Sequence, residues 1–149
     1  MPSQDLVDRF VQTVVGGDYV GAIERFYDEQ ASMRENQDAP RVGRDQLVAH
    51  ERGVMSLFGS IACEAVGPPL ISGDEVAIQW RFEFTPRGGK TVTLREVAWQ
   101  RWDGDRIAEE TFFYNPAQIR PPAPCRRDPK RGAPHGSTGS LGVSGASRR

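Results

Sequence analysis

The stretch VAIQWRFEFT, residues 76–85, decides the fold, because apolar and polar side chains alternate along it. Alternation with a period of two is typical of a β-strand that buries one face. The segment RGGK at 87–90 predicts a hairpin turn, and VTLREVAWQRW at 92–102 predicts the returning strand. Asp-Gly at 103–104 turns the chain into a last strand over 106–114. The C-terminal half of the fold is therefore predicted to be an antiparallel meander.

Upstream of this meander, apolar residues recur at helical rather than strand spacing. The spacing predicts helices over 3–15, 18–27 and 45–58, and short strands over 31–36 and 61–66. Helices that come first and strands that come last favour an α+β fold with a mainly antiparallel sheet over alternating βαβ units.

The net charge of −1 hides an uneven distribution of charge along the chain. Residues 1–119 carry 12 basic and 19 acidic side chains, whereas residues 120–149 carry 7 basic side chains and a single acidic one. The second segment is also rich in Pro, Gly and Ser and has no aromatic residue, a composition that buries too little apolar surface to fold. We therefore expect one folded acidic domain, 1–119, and a disordered basic tail, 120–149.

Composition also limits the classes of partner. An acidic domain does not suit nucleic acid, except for weak attachment through the basic tail. No apolar run reaches the roughly 18 residues of a membrane helix, and the first residues do not resemble a signal peptide, so we expect a cytoplasmic protein. Two cysteines at unrelated positions, Cys63 and Cys125, suggest neither a disulfide framework nor a metal site. We predict no metal and no cofactor.

The hairpin turns predict which side chains share a face of the sheet. With Gly88 and Gly89 as a two-residue turn, Arg81 lies opposite Glu96. A bulge at Asp105 in the next hairpin would bring Glu110 in place of Glu109. One face is then apolar, with Trp80, Phe82, Phe84, Val97 and Trp99. The other is polar, with Gln79, Arg81, Glu83, Glu96, Gln100 and Glu109 or Glu110.

The polar face has two interpretations. It is either a solvated surface with ordinary cross-strand pairs, worth about 0.2–1 kcal/mol each, or the lining of a pocket whose carboxyls have raised pKa values. His50, on the apolar line of the third helix, is similarly either a packing residue or a proton carrier. Glu35 and Asn36 either cap a loop or project at the mouth of a cavity.

The order of these elements and several short motifs resemble the SnoaL-like branch of the nuclear transport factor 2-like superfamily. The motifs are Phe26-Tyr27-Asp28, Arg34-Glu35-Asn36, Val42-Gly43-Arg44-Asp45 and the closing hairpin over 102–116. The resemblance implies a cone-shaped, strongly curved mixed sheet, mainly antiparallel, wrapped around three N-terminal helices. It also implies an apolar pocket that takes a small-molecule ligand, and a homodimer.

The resemblance further implies a cofactor-free isomerase, cyclase or hydrolase that uses acid–base chemistry on an apolar oxygenated substrate such as a polyketide, terpenoid or steroid-like ring. The alternative is a non-catalytic ligand-binding or dimerisation module of the same fold. The pattern is most similar to the limonene-epoxide hydrolases in Asn36 and Arg81-Phe82-Glu83, with Glu110 in place of a missing acid near Phe112. The candidate catalytic residues are Arg81, Glu83, Glu110 and Asn36. The candidate pocket residues are Tyr27, Glu35, His50, Glu96, Gln100 and Tyr114.

Overall fold

Three helices form the N-terminal half of the domain in the computed structural model, which describes residues 1–119. They are α1 (Gln4–Val15), α2 (Tyr19–Phe26) and α3 (Arg44–Ser56). The Ser3 hydroxyl accepts a hydrogen bond from the Leu6 amide, and the Asp18 carboxylate accepts one from the Gly21 amide, so the first two helices begin at side-chain caps. None of the helices in the described residues is long and apolar enough to cross a membrane. The predicted tail, 120–149, lies outside those residues.

A single mixed sheet forms the rest of the domain. Its strands are β1 (Tyr27–Glu35), β2 (Arg41–Val42), β3 (Phe58–Ala65), β4 (Leu70–Ser72), β5 (Glu75–Pro86), β6 (Val92–Asp103) and β7 (Arg106–Phe113). The spatial order is β2-β1-β7-β6-β5-β3, with β4 paired to β5. Only the pairing of β1 with β7 is parallel, which confirms the predicted α+β fold with a mainly antiparallel sheet.

The helices pack on one face of this sheet around the aromatic ring of Phe10. The Phe10 ring lies 5.5 Å from that of Phe26, 6.2 Å from that of Tyr27 and 6.3 Å from that of Trp102. Tyr27, which the sequence places at the end of a helix, instead begins β1, because its extended backbone pairs with Ile107 of β7. As the first residue of β1, Tyr27 places its side chain in the core between α1 and the sheet.

The predicted register of the first hairpin is wrong by one residue. Trp80, not Arg81, lies opposite Glu96, and Arg81 lies opposite Arg95. The physical reason is the turn: Phe84 pairs with Val92, and the positive φ of 73° at Gly88 lies in the middle of the loop that joins them. An odd number of loop residues moves the register by one, and a slip of one residue moves every side chain of a strand to the opposite face.

The second hairpin contains the anticipated bulge, at a different position. Arg101 pairs with Glu109 and Trp102 pairs with Ile107, so Ala108 is an extra residue in β7. Gln100 therefore lies opposite Glu110. As a result, Glu110 and Gln100 share the face of the sheet that meets the helices.

Because of the two registers, apolar and acidic side chains that the sequence analysis placed on opposite faces of the sheet lie on one face. Trp80 is 3% exposed and packs under the helices on the same face as Glu96. Trp99 is 47% exposed and lies on the opposite, outer face. The inner face is thus an aromatic surface with buried carboxyls set into it.

Candidate functional site

A cavity of about 180 Å³ lies between the helices and the inner face of the sheet. Eight aromatic side chains line it, so most of its wall is apolar. Apart from its tyrosines, its ionisable groups are Glu35, Glu51, Glu96, Glu110, Arg41 and His50. An apolar cavity with a few converging polar groups is the usual form of a small-molecule site.

Glu110 is held by a buried chain of hydrogen bonds. The Trp102 indole Nε1 donates to Gln100 Oε1 at 3.0 Å, and Gln100 Nε2 donates to Glu110 Oε1 at 2.7 Å. The Tyr27 hydroxyl donates to the other oxygen, Glu110 Oε2. Because an indole N–H can only donate, Trp102 fixes the Gln100 amide with its NH₂ group toward Glu110. Both oxygens of Glu110 are therefore occupied by donors.

Burial and these hydrogen bonds have opposite effects on the proton affinity of Glu110. Desolvation raises its pKa to about 7, although the hydrogen bonds from Tyr27 and Gln100 lower it. The Tyr27 hydroxyl has a pKa well above its ordinary value, because it is buried and faces the Glu110 carboxyl. At neutral pH the Tyr27 hydroxyl keeps its proton, while Glu110 lies near the midpoint of its titration.

Glu96 faces the cavity and receives no hydrogen bond from any of residues 1–119. Desolvation, together with the neighbouring carboxyls of Glu110, Glu35 and Glu51, raises its pKa to about 8. A carboxyl in apolar surroundings near other carboxyls keeps its proton at neutral pH. Its oxygens are free to contact a ligand, in contrast to those of Glu110.

An ion pair and two residues of α3 complete the polar lining. Arg41 Nη1 and Nη2 donate to the two oxygens of Glu35 at 2.9 and 2.7 Å, and this bidentate geometry gives a strong pair. Burial and the charge of Arg41 lower the pKa of His50. Burial raises the pKa of Glu51, and Arg41 lowers it in part. A neutral His50 thus lies beside the paired Arg41 at this end of the cavity.

Tyr19, at the start of α2, supplies a further hydroxyl. Its ring lies 6.2 Å from that of Phe82, and the residue is 8% exposed. No hydrogen-bond partner for the hydroxyl exists among residues 1–119. Burial, together with the neighbouring Cys63 and Glu51, raises its pKa to about 12. The hydroxyl therefore remains a proton donor at any physiological pH.

The structure brings most of the predicted pocket residues together. Those that line the cavity are Tyr27, Glu35, His50, Glu96, Glu110 and Tyr114. Gln100 is fully buried beneath them and reaches the cavity only through Glu110. Their chemical roles stay predictions, since position alone does not test them.

The predicted placement of Arg81, Glu83 and Asn36 in the pocket is wrong. Arg81 and Glu83 lie on the outer face because they alternate along β5 with Trp80 and Phe82, which line the cavity, and Arg81 Nη2 pairs with Glu83 Oε1 at 2.6 Å. Asn36 has a φ of 50°, and its side-chain oxygen accepts a hydrogen bond from the Tyr114 amide at 3.0 Å. Asn tolerates this left-handed conformation, so Asn36 joins the ends of β1 and β7 instead of facing a ligand.

Three residues of the cavity were missed by the sequence reasoning. Tyr19 was placed on the apolar stripe of the second helix, Arg41 lay in a segment expected to be a loop, and Glu51 was not singled out. For Tyr19 a signal existed, because a tyrosine on a buried stripe has a hydroxyl that needs a partner. For Arg41 and Glu51 the local pattern contains no such signal.

The model of the SnoaL-like domain family matches residues 7–110. The chain belongs to the SnoaL-like domain family. This confirms the resemblance drawn from the sequence motifs and identifies the mixed sheet with its three helices as the cone-shaped fold of the nuclear transport factor 2-like superfamily. No curated protein matches the chain.

Solved structures of SnoaL-like and related proteins superpose on the domain. A protein from Mesorhizobium loti named as a SnoaL-like polyketide cyclase is 23% identical, with 76% of this chain and 100% of that chain covered and a TM-score of 0.65. A second protein with this name, from Jannaschia, is 14% identical, with 77% of this chain and 86% of that chain covered and a TM-score of 0.66. A Catenulispora acidiphila protein of ketosteroid isomerase-like fold, in complex with trimethylamine, is 14% identical. Of this chain 76% is covered and of that chain 88%, with a TM-score of 0.65. At these identities the likeness concerns the fold alone.

Proposed function

We propose that this SnoaL-like protein is a small enzyme that moves a proton on an apolar, oxygenated substrate, as in isomerisation or cyclisation. Glu96 is the proton-transferring group. In its ionised form it takes a proton from a carbon next to a carbonyl group and returns the proton to another atom of the same substrate. Atoms and charge then balance without a further reactant.

The observation that carries the proposal is the state of the Glu96 carboxyl. It faces an aromatic cavity, no described residue donates a hydrogen bond to it, and its pKa is raised to about 8. A general base works best when its pKa lies near the operating pH, because it is then basic enough and still partly ionised. A purely structural carboxyl would normally have a partner, as Glu35 has in Arg41.

The distribution of the other groups supports proton transfer more than epoxide hydrolysis. Asn36, Arg81 and Glu83, on which the likeness to epoxide hydrolases depends, do not line the cavity. Glu110 and Tyr27 do line it, and they form a hydrogen-bonded pair next to Glu96. The family and the fold are consistent with a polyketide cyclase or a ketosteroid isomerase-like enzyme, but fold alone does not decide an activity.

The proposal is tested by exchange of carbon-bound hydrogen. The protein is incubated in D₂O with a panel of cyclic ketones, and loss of the α-proton signal is followed by NMR. We expect Glu96→Gln to slow the catalysed exchange by about 10²- to 10⁴-fold. The matched control is Glu64→Gln, an exposed carboxyl on β3 that does not line the cavity.

Two outcomes would contradict the enzyme proposal. Exchange that persists in Glu96→Gln at the wild-type rate removes Glu96 from the role of base. Ketones that bind and never exchange in the wild-type protein would favour the alternative, a non-catalytic ligand-binding module. In both experiments the thermal midpoint of each variant shows that the protein is folded.

We also propose that two copies pair through the outer face of the sheet. Trp99 and Phe113 lie on this face and are 47% and 43% exposed, and an apolar patch on an exposed sheet face favours contact with another protein surface. Light scattering of the purified protein tests the pairing. We expect a dimer that Trp99→Glu converts to a folded monomer, and a monomeric wild-type protein would contradict the proposal.

A further inference from the structure

Arg41 at first sight suggests a ligand with a carboxylate or phosphate group. It lines the cavity, and its planar guanidinium is the group that proteins favour for binding such anions through two hydrogen bonds. Among the described residues that line the cavity, it alone carries a permanent positive charge. Burial and the charge of Arg41 lower the pKa of His50, which therefore adds no positive charge at neutral pH. The charge preference of the cavity thus depends on what Arg41 binds.

The hairpin of β1 and β2 supplies a partner for Arg41 from within the chain. Arg41 pairs with Met33 across the two strands, and Glu35 lies two residues beyond Met33 on the same face of β1. Arg41 Nη1 donates to Glu35 Oε2 at 2.9 Å, and Arg41 Nη2 donates to Glu35 Oε1 at 2.7 Å. A carboxylate of the protein therefore occupies the two nitrogens that would bind the carboxylate of a ligand.

The ion pair is accessible to a ligand. The side chains of Arg41 and Glu35 are 26% and 24% exposed, and both line the cavity. A molecule in the cavity meets them as a neutral unit, because their opposite charges lie in direct contact. An anion that entered would leave its hydration shell without gaining a free cationic partner among the described lining residues, which is unfavourable.

We propose that Glu35 is a specificity-determining residue, which holds the Arg41 guanidinium and so restricts the cavity to uncharged ligands and excludes carboxylates. This inference rests on the proposed function in using the same cavity, and it narrows the substrate class to neutral compounds. It does not depend on Glu96 being the base. Glu35 acts through Arg41, so it is a positioning residue and takes no part in the transfer of a proton.

Two probes of nearly the same shape measure the charge preference: cyclohexyl methyl ketone and cyclohexanecarboxylate. A methyl group in one stands where a charged oxygen stands in the other. A cavity of about 150 Å³ binds benzene, so this cavity of about 180 Å³ has space for the ring of either probe. Binding is measured by titration of ¹⁵N-labelled protein in two-dimensional NMR at about pH 7, where a carboxylic acid is ionised. We expect the wild-type protein to bind the ketone about tenfold more tightly, or better.

Substitution of Glu35 should reverse this preference. Glu35→Gln keeps the size of the side chain and removes its charge, so the affinity for the carboxylate should rise about tenfold to hundredfold. The affinity for the ketone should stay unchanged. Glu35→Ala also vacates the position of the carboxylate, so its gain should be at least as large. The double variant Glu35→Gln/Arg41→Gln should show no gain, because the guanidinium that produces it is absent.

The matched control is Glu109→Gln. This substitution releases Arg101 from an ion pair of the same kind, at a place that does not line the cavity. The affinities for both probes should equal those of the wild-type protein. Since the expected result is a gain of binding, a loss of stability in a variant cannot imitate it.

The inference is overturned if the wild-type protein binds the carboxylate as tightly as the ketone, or binds neither at millimolar concentration. It is also overturned if neither Glu35 variant gains affinity for the carboxylate, or if the double variant keeps the gain. These results differ from those that test Glu96. A protein that shows the reversal but no hydrogen exchange keeps the role of Glu35 and loses the proposed enzyme. One that exchanges hydrogen through Glu96 but binds both probes equally keeps the enzyme and loses this inference.

Discussion

Replacing Glu96 by Gln is expected to stabilise the protein in alkaline solution and to leave its stability at about pH 5 almost unchanged. The carboxyl has a pKa of about 8 in the folded protein, against an ordinary value of 4.5. The folded state therefore holds the proton more tightly than the unfolded state does. This contribution to stability is complete below pH 4.5 and is lost as the pH rises to about 8.

The size of the effect follows from the difference between the two pKa values. One pKa unit corresponds to about 1.4 kcal/mol, so the folded protein loses about 4–5 kcal/mol through Glu96 between pH 4.5 and 9. Entry of water into the cavity would reduce this figure, and we expect a measured difference of about 3–4 kcal/mol. Gln does not ionise, so the free energy of unfolding of Glu96→Gln does not fall with pH through this position.

The assay is urea denaturation followed by far-ultraviolet circular dichroism at several values between about pH 5 and pH 9. The control is Glu64→Gln, whose carboxyl is largely exposed on β3 and pairs weakly with Arg81. We expect the difference in free energy of unfolding between Glu96→Gln and wild type to grow with pH, and the control to follow the wild type. A difference below about 1 kcal/mol across this range would refute the assignment of Glu96 as a carboxyl with a raised pKa.

Three further substitutions test the surroundings of the site. Gln100→Leu leaves the Trp102 indole N–H and one oxygen of Glu110 without a partner, and it should lower the free energy of unfolding by about 2–4 kcal/mol in urea denaturation. Tyr27→Phe removes a donor to Glu110, so ¹³C NMR titration should show a higher pKa for the Glu110 carboxyl; an unchanged value would contradict the hydrogen bond. Gly88→Ala strains the backbone at a φ of 73° and should cost about 1 kcal/mol, whereas no cost would argue against the loop that sets the register.

The fold class followed from the sequence because period and order are local properties. Alternation over residues 76–85 and helical spacing before residue 59 are visible in any short window. The segregation of helices from strands then excluded a parallel βαβ sheet. These features do not depend on how the turns are closed.

The candidate site was harder to predict because it depends on register. One extra residue in the loop after β5 brought Glu96 opposite Trp80, so Glu96 lies on the inner face and Arg81 and Glu83 lie on the other. A single bulge residue, Ala108, decided that Glu110 faces inward. Turn conformation is set by small energy differences that a pattern of residue types does not contain.

Contacts between residues from distant parts of the chain could not be predicted from the sequence for a different reason. Arg41 contacts Glu35 within a short segment, but its relation to Glu51 depends on how α3 packs over the sheet. Tyr19 meets Phe82 only after α2 has docked on the sheet. Such contacts arise from the tertiary structure, so no spacing along the sequence predicts them.

The central claim, that Glu96 is a proton-holding carboxyl in an apolar cavity, is tested most directly by its own titration. The protein is labelled with ¹³C at the glutamate side-chain carboxyls, and the Glu96 signal is assigned by its absence in Glu96→Gln. We expect a midpoint near 8, well above the ordinary 4.5. A midpoint near 4.5 would contradict it.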